Sequence, residues 1–503
     1  MSQGEPRQPG SAAMAAMIFA AVTALSLDLL VRDLAAGVNL YVAGLLLFGV
    51  VLLLRAARLV SLPRSPLRLL GVATLCLGSF AWRDSEALNL LAVLGCLVVG
   101  GLAAYRAQGG RLAPAGFLDY LVAQVRAGAG TAVGVLPLVH HEVAWRDLAT
   151  DSSRNRLVSV GRGLVLALPP VMIFSALFAS ADPVFKNLYQ GLFHVDMDVA
   201  LSHAAVLGVG AWVGGGYARE LFLVKRDRPL PVLTGRFGFT EIRIVLSAVV
   251  FVFLLFAAIQ LNVLFGGTAF VEAHTNLTYA DYARQGFFDL VAVAALVLPL
   301  LLLADWASQR NANQDREFRA LAAVLLSLLG VVLVAALQRM RLYQLSFGLT
   351  EQRVYTMAFM VWLALVLAWL GATVLRGRRE RFIPGAALLG LVVIAALHFL
   401  NPDRLIAGVN LKRAVRGLRF DVPYVTGLSD DAAPEIVRLL PAIPPEARCQ
   451  VSHRLLRTAG RDAGHDWRSW NLSRARARDL VAENIGQLRT WSAECDTRLP
   501  KGR

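Results

Sequence analysis

The sequence predicts an all-α polytopic membrane protein, with about 11 transmembrane helices and a small C-terminal helical extramembrane domain. Three observations carry that expectation. Long apolar runs recur along the chain, and those at 244–264, 286–306, 320–338 and 354–375 match the roughly 20 residues that one helical crossing requires. Short arginine-rich segments separate the runs. After residue 400 the chain turns polar and stays so to the end.

Composition agrees. Hydrophobic residues make up 56% of the 503-residue chain and mean hydropathy is +0.56, above the apolar share of a soluble domain. The net charge is +15, and only four of the 50 basic residues are lysine. That bias is associated with GC-rich bacterial coding sequences. The basic residues are spread over the loops between spans, which fits membrane orientation and not a nucleic-acid partner.

Taken in order, residues 1–10 are polar, and the run 11–31 is long enough to remain as a first span instead of a cleaved signal. Further spans are expected at 34–54, 69–82 and 87–105, completing a first group of four within 11–105. The third is short for a crossing. Residues 106–163 form a long loop in which 115–127 has amphipathic helical period. Phe117, Leu118, Leu121, Val122 and Val125 share one side, as in a helix on the inner surface or one packed under the bundle. Seven more spans are expected within 164–400, at 164–181, 199–218, 244–265, 286–306, 320–338, 354–375 and 383–400.

With a cytoplasmic N-terminus, the inner loops hold 24 Lys and Arg residues and the outer loops hold 7, the bias that orients spans. An odd number of spans then places 401–503 outside, in the periplasm of a cell that has one. Within that tail, Asn401-Pro402 reads as a helix start. Further helices are expected from Ser429 to near Pro441, from Pro445 to near Gly460, and from a Ser473 cap to near Trp491. Trp467, Trp470 and Trp491 are expected to supply a small core.

Cys76 and Cys96 lie in apolar spans and read as packing residues. Cys449 and Cys495 lie in the tail, where a disulfide can form if the tail faces an oxidising compartment. No metal-ligand or cofactor spacing is found. His140-His141-Glu142 lacks the spacing of a zinc helix, and Gly214-Gly215-Gly216 reads as a close-packing surface.

Several strings resemble a known family. They are Ala181-Asp182-Pro183-Val184-Phe185, the segment 279–288 (YADYARQGFF), the segment 348–355 (GLTEQRVY), Asn401 to Ala407 with Asn410, and Trp467 to Asn471 with Arg474 and Arg476. Together they resemble the bacterial multi-pass membrane family catalogued as domain of unknown function 4153/4173, from about residue 160 to the end. The resemblance implies a bacterial membrane protein and supplies no catalytic residues.

Polar side chains inside spans are costly and mark function by default. Here they share a depth. Asp28, His203, Asp289 and His398 fall toward the outer ends of their spans. The outer loops add Tyr279, Asp281, Tyr282, Arg284, Arg339, Arg341, Tyr343, Glu351 and Arg353. The arrangement fits an outer vestibule in which arginines grip an anionic amphiphile. The same residue types also serve interfacial anchoring and interhelical pairing.

Three function classes follow. The first is binding, sensing or envelope assembly at the outer face, with an envelope protein or anionic amphiphile as partner beside the lipid bilayer itself. The second is a transporter or lipid flippase, although the midplane is nearly free of charge, unlike many transporter sites. The third is a membrane glycosyltransferase using a lipid-linked donor, with Asp28 and Asp33 flanking the first outer turn. No phosphate-binding loop or serine-hydrolase elbow points to catalysis.

Overall fold

The computed structural model describes residues 9–110, 117–143, 197–225, 237–274, 287–307, 310–418, 421–459 and 466–498, with residues 171, 174, 178, 181 and 182. Among them the chain is helical, with no strand element. Ten helices are long and apolar enough to cross a membrane, or eleven if one bent pair counts as a span. The fold is therefore the expected all-α, multi-pass one.

Two packed groups make up the bundle. α1 (Pro9–Leu30), α2 (Val38–Ala56), α3 (Arg64–Leu77), α4 (Glu86–Ala107), α5 (Phe117–Val133) and α6 (Met197–Phe222) form the first. α7 (Phe239–His274), α8 (Phe287–Ala307), α9 (Ala312–Phe347), α10 (Glu351–Thr373) and α11 (Phe382–Leu400) form the second. Leu54, Leu138 and Leu221 anchor one core, and Leu246, Leu325, Met340 and Leu363 the other. Leu53, Leu75 and Leu97 face outward. Such a surface suits lipid, whose tails solvate leucine as well as a protein interior does.

The third span is longer than its hydropathy indicates. It runs from Arg64 to Trp82, 19 residues, continuing past Gly78 through a short helical segment at Ser79–Trp82. Arg64 and Arg68 hide its first turn from an apolar reading, because long basic side chains snorkel to the interface. The expected span at 164–181 lies almost wholly outside the described residues.

α5 packs against the bundle, and with a different face from the one its apolar stripe suggests. Tyr120, Ala123 and Ala127 are buried, whereas Leu121 and Val125 are exposed. In lipid the large apolar side chains face out, and small residues allow helices to approach. The glycine run of α6 supplies the other half of that contact: a Cβ on Gly216 would meet the Thr131 carbonyl oxygen at 1.9 Å.

After Gly134 the chain bends by 48° and continues to Glu142. Tyr120 lies beside Tyr105 at the end of α4, and Glu142 pairs with Arg219 at the end of α6 at 2.7 Å. Residues from both halves of the bent pair thus contact the ends of α4 and α6. Arg219 also accounts for the acidic member of the His140-His141-Glu142 string.

The C-terminal helices are α12 (Pro402–Val415), α13 (Val422–Thr426), α14 (Ala433–Leu439), α15 (Pro445–Ala459), α16 (Leu472–Glu483) and α17 (Ile485–Arg498). Their core is Leu411, Val425, Leu440, Val451 and Leu488. Trp491 packs against it, but Trp467 and Trp470 are 64% and 42% exposed, contrary to expectation. The last expected helix is broken at Asn484 into α16 and α17. Its cap is Asn471, whose side chain accepts from Ser473 and Arg474 N–H, not Ser473 itself. Cys449 is disulfide-bonded, while Cys76 and Cys96 are free.

Candidate functional site at the junction of bundle and C-terminal helices

Asn401 makes the turn from bundle to tail. It sits in the left-handed region at φ 54°, which asparagine tolerates better than most residues. Its side-chain oxygen accepts from Arg404 N–H at 3.1 Å, capping α12, and Pro402 fills the first helical position. The tail is therefore folded back onto the bundle from its first residue.

Asp431 is the centre of the contact. Its carboxylate is fully buried and accepts from Arg83 Nη1 at 2.9 Å, Asp84 N at 2.8 Å, Ser85 N at 3.2 Å, Ser473 Oγ at 2.6 Å and Asn401 Nδ2 at 3.3 Å. Arg83 in turn donates to the His398 carbonyl oxygen at 2.9 Å through Nε. Asn471 donates to the carbonyl oxygens of Phe80 and Arg83 at 2.7 and 2.9 Å. One buried ion pair thus ties the α3–α4 turn, the end of α11 and two tail helices together. A buried charge is tolerated on these terms, paired and fully hydrogen-bonded.

Two further contacts flank this node. At the start of α2, Val38 N donates to the Trp470 carbonyl oxygen at 2.8 Å. Gly37 faces that backbone so closely that a Cβ would lie 2.6 Å from Ser469 O. Between α9 and α10, Asn410 clamps Leu349 by two bonds of 2.9 and 2.8 Å. Tyr424 OH accepts from Glu351 N at 2.7 Å. All of these turns belong to the set expected on one side of the membrane, and the C-terminal helices contact each of them.

The expected vestibule residues divide between two places. Asp28 and His203 form one cluster with Arg32: His203 Nδ1 donates to Asp28 Oδ1 at 2.7 Å, and Arg32 Nη2 donates to His203 Nε2 at 2.8 Å. An arginine has no acceptor, so these contacts assign the neutral Nδ1–H tautomer. Asp33, flanking the same turn, is held by Arg32 at 2.5 Å. The second cluster has Arg353 stacked 3.9 Å from the Tyr343 ring and donating to Gly348 O, with Glu351 one turn from Tyr355.

Asp289 opens α8 and is exposed, Arg341 is exposed, and Arg339 is half-buried on α9. Tyr279, Asp281, Tyr282 and Arg284 lie outside the described residues. Arg353 is engaged by the Tyr343 ring and the Gly348 carbonyl oxygen.

Sequence reasoning missed Arg83, Asp431, Asp403, Asn410, Tyr355 and Tyr424 as interacting residues. Two signals were available. Arg83-Asp84-Ser85 is a charged turn too short to be a solvated loop, and Asp431 sits at a helix start where a capping role masked a long-range one. Asp403 is 1% exposed and accepts from Ser429 Oγ. Burial, joined by the nearby Asp431 charge, holds its carboxyl above the usual range despite the Ser429 bond.

No curated protein matches the chain, and no solved structure does. The family described as "Domain of unknown function (DUF4153)" matches residues 69–439. The match starts well before residue 160, where the resemblance was expected to begin, and stops short of the Trp467–Asn471 string. It takes in the third span, the Arg83 turn, the α9–α10 junction and Asp431, so the residues that dock the tail lie mostly within it. The chain belongs to the DUF4153 family.

Proposed function

We propose that this is a bacterial inner-membrane protein that works at its outer face by binding, in sensing or envelope assembly, and not by catalysis. The N-terminus is cytoplasmic in this reading and the C-terminal helices are a rigid periplasmic cap. The observation that carries it is the concentration of polar contacts at the tail-bearing end, centred on Asp431. The Lys and Arg bias puts that end outside. We further propose Cys495 as the disulfide partner of Cys449, which an oxidising periplasm would allow.

The test is complementation of a strain that needs the protein with Glu351→Gln, Asp289→Asn and Arg284→Ala, each checked for normal expression and tail docking. Loss of envelope function in at least one correctly folded variant is expected. Wild-type behaviour of all three overturns the reading.

A second reading, transport, draws on one observation. The bent pair after Gly134 borders an apolar cavity of about 490 Å³ among α1–α6, lined by Thr23, Thr74, Thr131, Gln124 and Tyr217. Discontinuous helices beside a cavity are a transporter device. Against it, each of those five side chains already donates to a backbone carbonyl. Flux of a labelled lipid in vesicles holding the purified protein, absent in protein-free vesicles, would favour this alternative.

A further inference from the structure

Trp467 and Trp470 flank a single helical turn, Trp467–Ser469, that leads into α16. Both ends of that turn are fastened. Asp466 caps it, accepting from Arg468 N–H at 2.9 Å, and holds the Arg468 side chain as well. Trp470 N–H donates to the Trp467 carbonyl oxygen at 3.0 Å. The Arg468 guanidinium also donates to the Leu29 carbonyl oxygen in the last turn of α1. At the start of α2, Val38 N–H donates to the Trp470 carbonyl oxygen, and Gly37 admits that backbone because it has no Cβ. The two indoles are therefore carried on a rigid turn at the level where α1 ends and α2 begins.

That level is a lipid boundary. Ile18, Leu25 and Leu29 are exposed along one face of α1, which makes them its stripe toward the acyl chains. Leu29 is the last member of the stripe, and its carbonyl is the one that Arg468 reaches. The turn thus stands over the end of a lipid-facing surface. The span Ser11–Leu30 has 20 residues, about 30 Å at ~1.5 Å per residue. A hydrocarbon core is also about 30 Å thick, with roughly 5–7 Å of headgroup and ester layer beyond it on each side. A side chain carried just past Leu29 falls in that layer.

The two side chains suit it. Trp467 is 64% exposed and Trp470 42%, so both rings are largely uncovered by protein. Among the described residues neither indole N–H has a protein acceptor, whereas Trp212 and Trp369 donate to backbone carbonyl oxygens. An uncovered ring with a free N–H is the side chain enriched at headgroup level. There the ring meets the upper acyl chains and the N–H meets ester or phosphate oxygens.

We propose that the Trp467–Trp470 turn is a membrane anchor, whose two indoles insert into the phospholipid headgroup and ester layer on the tail-bearing side. The C-terminal helices are then held twice, to the bundle through Asp431 and to the bilayer through the indoles. This goes beyond the binding function and does not depend on which compartment the tail faces.

The test uses full-length protein in phosphatidylcholine vesicles whose acyl chains carry bromine, a contact quencher of tryptophan, either near the esters or near the chain ends. The emission of the two residues is the difference between wild type and the double variant Trp467→Phe, Trp470→Phe. That variant keeps an aromatic ring at both positions and every backbone bond of the turn. The difference should fall about twofold with bromine near the esters and less with bromine near the chain ends. Iodide on both sides of the membrane should change it little. Quenching by iodide without quenching by bromolipid puts the indoles in water and overturns the proposal. Protection from both quenchers overturns it too, since the rings are then covered by protein.

A second measurement stands apart from the Phe variants. Trp467→Cys carrying a nitroxide, in protein lacking Cys76 and Cys96, should collide more with oxygen, which concentrates in lipid, than with a water-soluble nickel chelate. Arg489→Cys, exposed on α17, serves as the reference and should show the reverse. Nickel-dominated collision at position 467 overturns the anchor.

Discussion

Replacing Asp431 with alanine removes the acceptor on which the docking of the C-terminal helices converges. Arg83 then remains buried, its side chain 11% exposed, with its charge uncompensated. Breaking a buried ion pair from one side costs about 3–5 kcal/mol. The Asp84 and Ser85 N–H groups and the Ser473 hydroxyl lose their acceptor in the same step. At about 1.4 kcal/mol per tenfold, the open population of the tail should rise at least 100-fold. Hydrogen exchange of the α16 amides, compared with that of α10, reads this directly. The expected pattern is faster exchange through the tail with an unchanged bundle. Asp431→Asn keeps the shape and part of the bonding, and should fall between the two. If Asp431→Ala exchanges like wild type, the node is not what fastens the tail.

Other predictions test separate parts of the account. Gly37→Ala should lower tail-docking stability by about 1–3 kcal/mol, the cost of overpacking, because its Cβ meets the Ser469 carbonyl with no side chain able to yield; a melting series in detergent would show it. Asp403 has a raised folded-state pKa, from burial first. Its contribution is therefore full below the unfolded value of about 3.9 and is lost as pH rises through the folded value. The stability of Asp403→Asn minus that of wild type should thus grow with pH over that interval and then level off. Reducing the Cys449 disulfide should destabilise the tail by about 2–5 kcal/mol, as for other small disulfide-stapled domains, seen as earlier proteolysis of α15–α17.

The bundle was legible because lipid imposes one rule on every span, an apolar length of helix, and the sequence writes that rule openly at 244–264 or 354–375. The rule fails where a span begins with charge, as at Arg64. It also fails where a helix turns its large apolar residues outward, as Leu121 and Val125 do on α5. The tail's helix starts at Pro402 and Pro445 were readable from local chemistry. Its attachment was not, since Arg83 and Asp431 are 348 positions apart and nothing local distinguishes a docking carboxylate from a capping one. Depth along the spans puts the expected vestibule residues in one set, and contact with one another is not readable from depth alone. Asp28 and His203 meet through Arg32, whereas Arg353 stacks on Tyr343 and Glu351 lies one turn from Tyr355.

The most direct test of the central claim, that a docked tail caps the outer face, is a pair of exposed cysteines in a variant lacking the free thiols Cys76 and Cys96. Arg489→Cys reports on α17, and Arg316→Cys reports on the opposite end of the bundle at the start of α9. Intact cells are treated with a membrane-impermeant maleimide before and after permeabilisation. The account predicts labelling of position 489 in intact cells and of position 316 only after permeabilisation. The reverse pattern would place the tail in the cytoplasm and contradict it.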